Sequence, residues 1–337
     1  MANSQPSDVE SDHRRQDFWT EKVHEARKKH LHASLPVRDR CRLRLQSMPH
    51  TTAWMQTVPN KGMGMQLGAS KYRLLLRWWI GAKIVTGDGG SPCPLCGEPL
   101  DPFGDHLLCC KKNKLVQRHN AVRDALALVL KENRVRCETE VAIGGKTRPA
   151  DVAILGFDPA GPLAVDLVVF HPLQKSMAWE EETSIKSMAV TEGKKVTKNQ
   201  PICEAAGWLF SPLSFHPWAG LGPLGSGLLN RLVKQVLGDK QGWARQHQSA
   251  DIWQRISATL MSHVGEQLLV CQSVPTRASL PLAGVSQVPN AAVAPTPGGT
   301  SSHPVAVVDM LGWHEAHPAE DGTKVGPIRI QCTRPKA

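Results

Sequence analysis

Four cysteines and a histidine stand within eighteen residues, Cys93, Cys96, His106, Cys109 and Cys110, in the stretch CPLCGEPLDPFGDHLLCC. Thiolate and imidazole are the ligands zinc prefers, and C-x2-C-x9-H followed by a cysteine after two or three intervening residues offers four of them to one tetrahedron. Pro94 and Leu95 make the first pair a tight knuckle, Gly97 frees the chain to turn, and PFGD carries it back toward His106. A Cys/His set that closes on itself leaves no position for substrate, so a structural zinc is expected. Buried thiols beside a surface histidine are the alternative, and the density of the cluster argues against it. A redox pair at Cys93 and Cys96 lacks the surrounding βαβ pattern.

Two aspartates form a second set. RPADVAIL and PLAVDLVVF are apolar, β-prone runs separated by the turn-rich GFDPAG. A hairpin folded about Asp158-Pro159 sets opposite one another residues whose numbers sum to 317, and so places Asp151 across from Asp166. Like charges on one face of neighbouring strands repel and resist desolvation, and a divalent metal is the usual reason for keeping them. Magnesium held there would activate a water and steady the departing oxygen of a phosphodiester. A solvent-capped aspartate at a strand edge would account for Asp151 alone. It leaves Asp166 unexplained within the apolar LAVDLVVF.

These sets need elements to position them. RHNAVRDALALVLKEN puts Val122, Ala125, Leu126, Val129 and Leu130 on one stripe, which predicts a helix over 118–132. Strands are expected near 135–143, 150–155 and 163–170, then a helix carrying EGKKVTKNQ, a strand near 207–215 and two further helices to 271. Ahead of the cysteines, apolar-periodic stretches at 38–48 and 72–84, separated by PNKGMG, predict a helical lead-in over 36–90, with Trp78 and Trp79 in its core. Residues 1–35 are polar and charged, a solvated helix or disorder. Residues 272–337 are rich in Pro, Gly, Ser and Ala and are expected to be a disordered tail. The fold class is α/β with a mixed sheet over 113–271 and a small knuckle over 91–112 on its N-terminal side.

A chain of 337 residues, 41% hydrophobic, has enough apolar content for a real core. Its net charge of +10 suits a polyanion better than a small neutral metabolite. Nucleic acid leads and an anionic membrane surface follows. The run Lys111, Lys112, Lys114 and Arg118 is placed to contact phosphates. The opening MANSQPSDVESDHRRQ has no apolar signal region, and no run approaches the roughly 18 apolar residues of a membrane helix, so an intracellular protein is expected. Nine cysteines, an odd number, read as thiols or ligands rather than a disulfide framework.

The order CPLCG…DPFGDHLLCC, RHNAVRDAL, RPADVAI, VDLVV and CEAAGWLFSPLSFHPWAG resembles the C-terminal region of reverse-transcriptase open reading frames in non-LTR-type retroelements. There a zinc knuckle precedes a restriction-endonuclease-like domain of the PD-(D/E)xK type. AWMQTVPNKGMGMQLGASKYRLLLRWWIGAKI is similar to the linker that follows the polymerase in such frames, so the likeness covers residues 40 to 270. The resemblance implies Cys93, Cys96, His106 and Cys110 as the zinc ligands, with Cys109 a bystander. It implies Asp151 and Asp166 as the catalytic acids and magnesium ligands. Where the pattern wants lysine this chain has Val168. Versions that move the lysine to the following helix would find it among Lys194, Lys195 and Lys198, of which Lys195 and Lys198 are the catalytic candidates. Arg118-His119-Asn120 matches the family's RHN, where a DNA-backbone contact or a helix cap is expected, and this makes His119 a further nucleic-acid contact. The implied activity is magnesium-dependent nicking of DNA, with DNA or RNA as partner and the nucleus as its place. No adjacent Asp-Asp occurs, so the polymerase signature is missing. A zinc-containing nucleic-acid-binding remnant without catalysis is the first rival, and a zinc-stabilised protein-interaction module the second.

Overall fold

One mixed sheet of four strands, in the order β1-β2-β3-β4, organises the chain. The structure is a computed structural model and describes residues 8–60, 65–85, 90–145, 149–174, 180–238 and 240–273. The expected tail from 274 onward lies outside the described residues. Strand β2 (Ala150–Asp158) pairs antiparallel with both β1 (Arg136–Val141) and β3 (Gly161–Val169), and β4 (Leu209–Phe215) lies parallel to β3. A parallel neighbour requires a crossover, and helix α6 (Glu181–Ala205) provides it.

Helix α1 (Asp8–Ser34) has side chains that are almost all exposed from Gln16 on. Helices α2 (Val37–Gln46) and α3 (Ala69–Trp79) are the two periodic stretches ahead of the cysteines, with a 3-10 turn Ala53–Gln56 between them. A short α4 (Asp105–Cys109) lies inside the cysteine cluster, and α5 (Leu115–Glu132) follows it. Of the predicted α5 stripe, Val122, Leu126, Val129 and Leu130 are buried and Ala125 is half-buried. Helices α7 (Pro223–Leu237) and α8 (Gly242–Leu269) complete the set.

The β2–β3 hairpin has the expected register by an unexpected route. Val152 pairs with Val165, Ala153 with Ala164 and Ile154 with Leu163, all summing to 317. The turn itself is closed by Asp158 opposite Gly161, two residues out of step with that register. A bulge in β2 between Ile154 and Asp158 absorbs the difference, and Gly156 at φ +70 supplies the left-handed residue that the bulge needs. Without it, continuing the turn's register would set Asp151 against Val168.

The lead-in, the cysteine cluster and the sheet are not separable modules. One apolar core runs from Cys41 through Leu75, Leu107 and Leu126 to Leu167, Leu213 and Leu268. Trp78 of α3 stacks on Trp218, just past β4, with ring centroids 4.7 Å apart and planes 5° apart. Trp78 is therefore core, and it ties the lead-in to the end of the sheet. Among the described residues no helix is long and apolar enough to cross a membrane.

Candidate functional site

The cysteine cluster is built around two turns. Cys93 and Gly97 exchange a tight turn in which the Gly97 N–H donates to the Cys93 carbonyl at 2.8 Å, with Gly97 at φ +85. The Asp101 carboxylate accepts from the backbone N–H groups of Phe103, Asp105 and His106 at 2.7–3.0 Å, and so fixes the start of α4 and the placement of His106. The ligand atoms of Cys93, Cys96, His106 and Cys110 all lie within 4.8 Å of one another, with Cys96 Sγ 3.1 Å from His106 Nε2. This group can hold a zinc ion. Two backbone groups favour thiolate there: the Glu98 N–H lowers the Cys96 pKa, and the Lys112 N–H does the same at Cys110 against burial, which leaves that thiol raised to about 11. Cys109 points elsewhere, and burial pushes its thiol up to about 12.

Beside the cluster, Asp105 is buried and accepts from Arg38 at 2.6 and 2.8 Å and from His171 Nε2 at 3.1 Å. Burial alone would raise this carboxyl, but His171 and Arg38 together outweigh it and hold it below its ordinary value. Arg38 sits on α2, Asp105 on α4 and His171 just past β3, so one carboxylate fastens three elements. Asn113 and Gln267 add a second clamp: the Asn113 amide donates to the carbonyls of Leu107 and Gln267, and Gln267 donates back to the Asn113 carbonyl.

The second centre lies where α5, β2, β3 and α6 meet. Asp151 and Asp166 continue the 317 register and interact directly. Asp151 Oδ2 accepts from the Leu167 N–H at 2.6 Å, and its Oδ1 lies 3.2 Å from His119 Nε2. Asp166 Oδ1 accepts from Lys195 Nζ at 2.8 Å and Oδ2 from Asn199 Nδ2 at 2.5 Å. Burial, and then the Asp151 charge, raise the Asp166 pKa against the pull of Lys195. Burial would raise Asp151 too, but His119, the Leu167 N–H and Lys195 outweigh it and bring it below its ordinary value. Two carboxyl groups whose affinities for a proton are pushed apart in this way are a mark of functional sites.

Several residues stand elsewhere than the sequence suggested. Arg118 is no surface phosphate contact: it is 3% exposed and donates to the Leu108 carbonyl, to Gln267 Oε1 at 2.7 Å and to the Val169 carbonyl. Its loss of water brings its pKa down to about 10. His119 is half-buried and faces Asp151, with Nε2 3.2 Å from its Oδ1. The helix starts at Leu115, with Lys114 at the N-cap position and no side-chain cap, so Arg118-His119-Asn120 lies one turn inside α5 and is not its cap. Lys111, Lys112 and Lys114 are exposed on the turn between α4 and α5. Lys198 is exposed on α6 and is not among the partners of either carboxylate, and Lys194 is likewise exposed.

Two residues of the region escaped sequence reasoning. Asn199 follows Lys195 by four residues, the spacing that puts both on one helix face. Glu192, fully buried on α6, accepts from Ser214 Oγ at 2.8 Å and from the N–H groups of Leu224 and Gly225 at 2.9 Å, and so caps α7. A Cβ on Gly222 would come within 2.3 Å of that carboxylate, so glycine is required there. Compared with known families and curated proteins, the chain matches no family model and no curated sequence.

Proposed function

We propose that this chain is a metal-dependent DNA endonuclease of the PD-(D/E)xK type, related to the nicking domain of non-LTR-type retroelements and acting in the nucleus, with a structural zinc knuckle. The observation that carries this reading is the convergence of Asp151 and Asp166 from neighbouring strands with Lys195 from the crossover helix. Val168 leaves the usual lysine position empty, and Lys195 brings an ammonium group to the same carboxylate from α6.

The donor set suits magnesium: burial, and then the Asp151 charge, raise Asp166, and a hard cation with oxygen ligands would offset both. Bound between Asp151 and Asp166, such an ion would supply Lewis-acid charge for a phosphodiester oxygen and lower the pKa of a water. The protein's own groups do the rest. The Leu167 N–H fixes Asp151 Oδ2 and Asn199 fixes Asp166 Oδ2, so each carboxylate is aimed. Lys195 Nζ is placed to hold the attacking water or to balance charge on the scissile phosphate. His119 Nε2 is placed to keep Asp151 ionised, or to carry a proton away through Asp151 Oδ1.

One observation favours the rival reading, a zinc-containing binding remnant: all four oxygens of the two carboxylates already have a partner within the chain. A supercoiled-plasmid assay with the full chain separates the two. Nicking with magnesium or manganese that Asp151→Ala abolishes, with zinc content and DNA affinity unchanged, is the expected result. A wild type that binds zinc and DNA but nicks with neither metal would establish the remnant instead.

A further inference from the structure

At the end of the sheet remote from the carboxylates, a cavity of about 310 Å³ opens between the C-terminus of α5 and the edge strand β1. Lys131, Arg134 and Arg136 line it, with Glu138 as the single acid. None of the three cations has a carboxylate partner among the described residues. Favourable interaction with the negative end of α5 accounts for Lys131 and Arg134 but not for Arg136, which begins β1. Arg134 also holds φ +62, the left-handed conformation in which a helix usually ends on glycine or asparagine. A cation at that position is therefore not explained by the needs of the turn.

Helix α8 is tied to the segment that follows α5, next to this cavity. Gln248 donates to Asn133, which sits between Lys131 and Arg134, and accepts from Lys240. One residue before Gln248, His247 lies under the indole of Trp243 at 5.0 Å between ring centroids. Trp243 is 76% exposed, the most exposed large aromatic side chain of the described residues.

We propose that the cavity and Trp243 together bind a single-stranded segment of nucleic acid, with phosphate against Lys131, Arg134 and Arg136 and a base stacked on Trp243. Unpaired cations in a concavity match the backbone, and an exposed aromatic face matches an unstacked base, the two elements of single-strand recognition. A duplex keeps its base faces stacked inside and offers Trp243 nothing of that kind. The site does not rest on the nuclease reading. Arg136 pairs with Leu155 at one end of β2, whereas Asp151 follows the Val141–Ala150 pair at the other.

Fluorescence anisotropy on the full zinc-loaded chain, without added divalent metal, tests it with labelled dT20, U20 and a 20-bp duplex. Trp243→Ala is expected to weaken dT20 or U20 binding by roughly 10-fold while leaving the duplex unchanged. The pair Arg134→Gly with Arg136→Ser, the first of which relaxes the left-handed backbone, is expected to lower the slope of log affinity against log salt by about 1.4, two phosphate contacts' worth for a single strand. The dT20 and U20 arms tell DNA from RNA as the source of the strand. Wild-type affinity in Trp243→Ala for both single strands would overturn the proposal. So would equal losses on single strand, duplex and heparin, which would leave only an unspecific basic patch. Failure of plasmid nicking would leave these readings untouched, because no magnesium enters them.

Discussion

Lys195 and Asn199 reach the two oxygens of Asp166 because four residues separate them on α6, while Lys198 falls on the exposed side of the same helix. That difference predicts unequal mutants. On the proposed nuclease reading, Lys195→Ala is expected to cost about 100-fold in nicking rate, the scale of losing one transition-state donor, with little change in DNA affinity. Lys198→Ala is expected to stay within about twofold in rate. Single-turnover nicking rates measure both, and equal effects would remove the special role of Lys195. The sequence made the aspartate pair legible, since a carboxylate inside LAVDLVVF demands a partner. It did not separate the lysines, because the phase of α6 against the sheet is set by packing and not by local spacing. Arg118 misled for a related reason. Its neighbours Lys111, Lys112 and Lys114 read as one basic run, and only Gln267 on the far α8 turns Arg118 into a buried strut.

The cysteine cluster shows how elements share the task of holding a loop. Leu100, Leu107 and Leu108, which lie among the cysteines, are buried in the common core. Gly104 lies so close to Ile84 and Leu268 that a Cβ there would meet Ile84 Cδ1 at 2.8 Å. Asp105 and Asn113 add the two polar clamps. Loss of the ion is therefore expected to loosen α4 without unfolding the sheet. Cys96→Ser should lose zinc and at least about 5 °C of melting temperature, where 1 kcal/mol is worth about 2–4 °C in a domain of this size, while its far-ultraviolet circular dichroism at 20 °C stays native. Cys109→Ser should keep the metal, and metal analysis of the two variants checks the assignment. Periodicity found α5 and the strands within a few residues, because their apolar faces meet one core. What it missed were the bulge at Gly156 and the Glu192 cap of α7. Both depend on contacts between segments that no local pattern records.

Across the whole molecule, a short repeat that sequence reading passed over marks where the parallel strands end. Phe170-His171-Pro172 follows β3 and Phe215-His216-Pro217 closes β4, with the Phe170 N–H donating to the Phe215 carbonyl at 2.8 Å. One copy has a carboxylate partner: His171 meets Asp105, which Arg38 also holds. The other is enclosed. His216 accepts from the Trp218 N–H at Nδ1, its Nε2 is buried without a partner, and Gly220 packs so tightly on the ring that a Cβ there would lie 2.2 Å from Nε2. Burial, and then the charge of His171, bring its pKa down from 6.5 to about 3. Between those values the unfolded chain binds a proton that the folded chain refuses, so stability is present in full above pH 6.5 and falls as pH drops toward 3. The slope contributed by one such group is about 1.4 kcal/mol per pH unit. His216→Asn keeps an acceptor near Nδ1 but has nothing to titrate. Its unfolding free energy, from urea denaturation at pH 7, 6 and 5, is expected to be lower than wild type at pH 7 because the smaller side chain leaves a gap. The difference should then narrow by about 2 kcal/mol on the way to pH 5. Because both proteins keep the same thiols and carboxylates, acid loss of zinc cancels in the comparison. Parallel curves would mean that His216 takes up its proton in the folded state, which would require the contact with Gly220 to open.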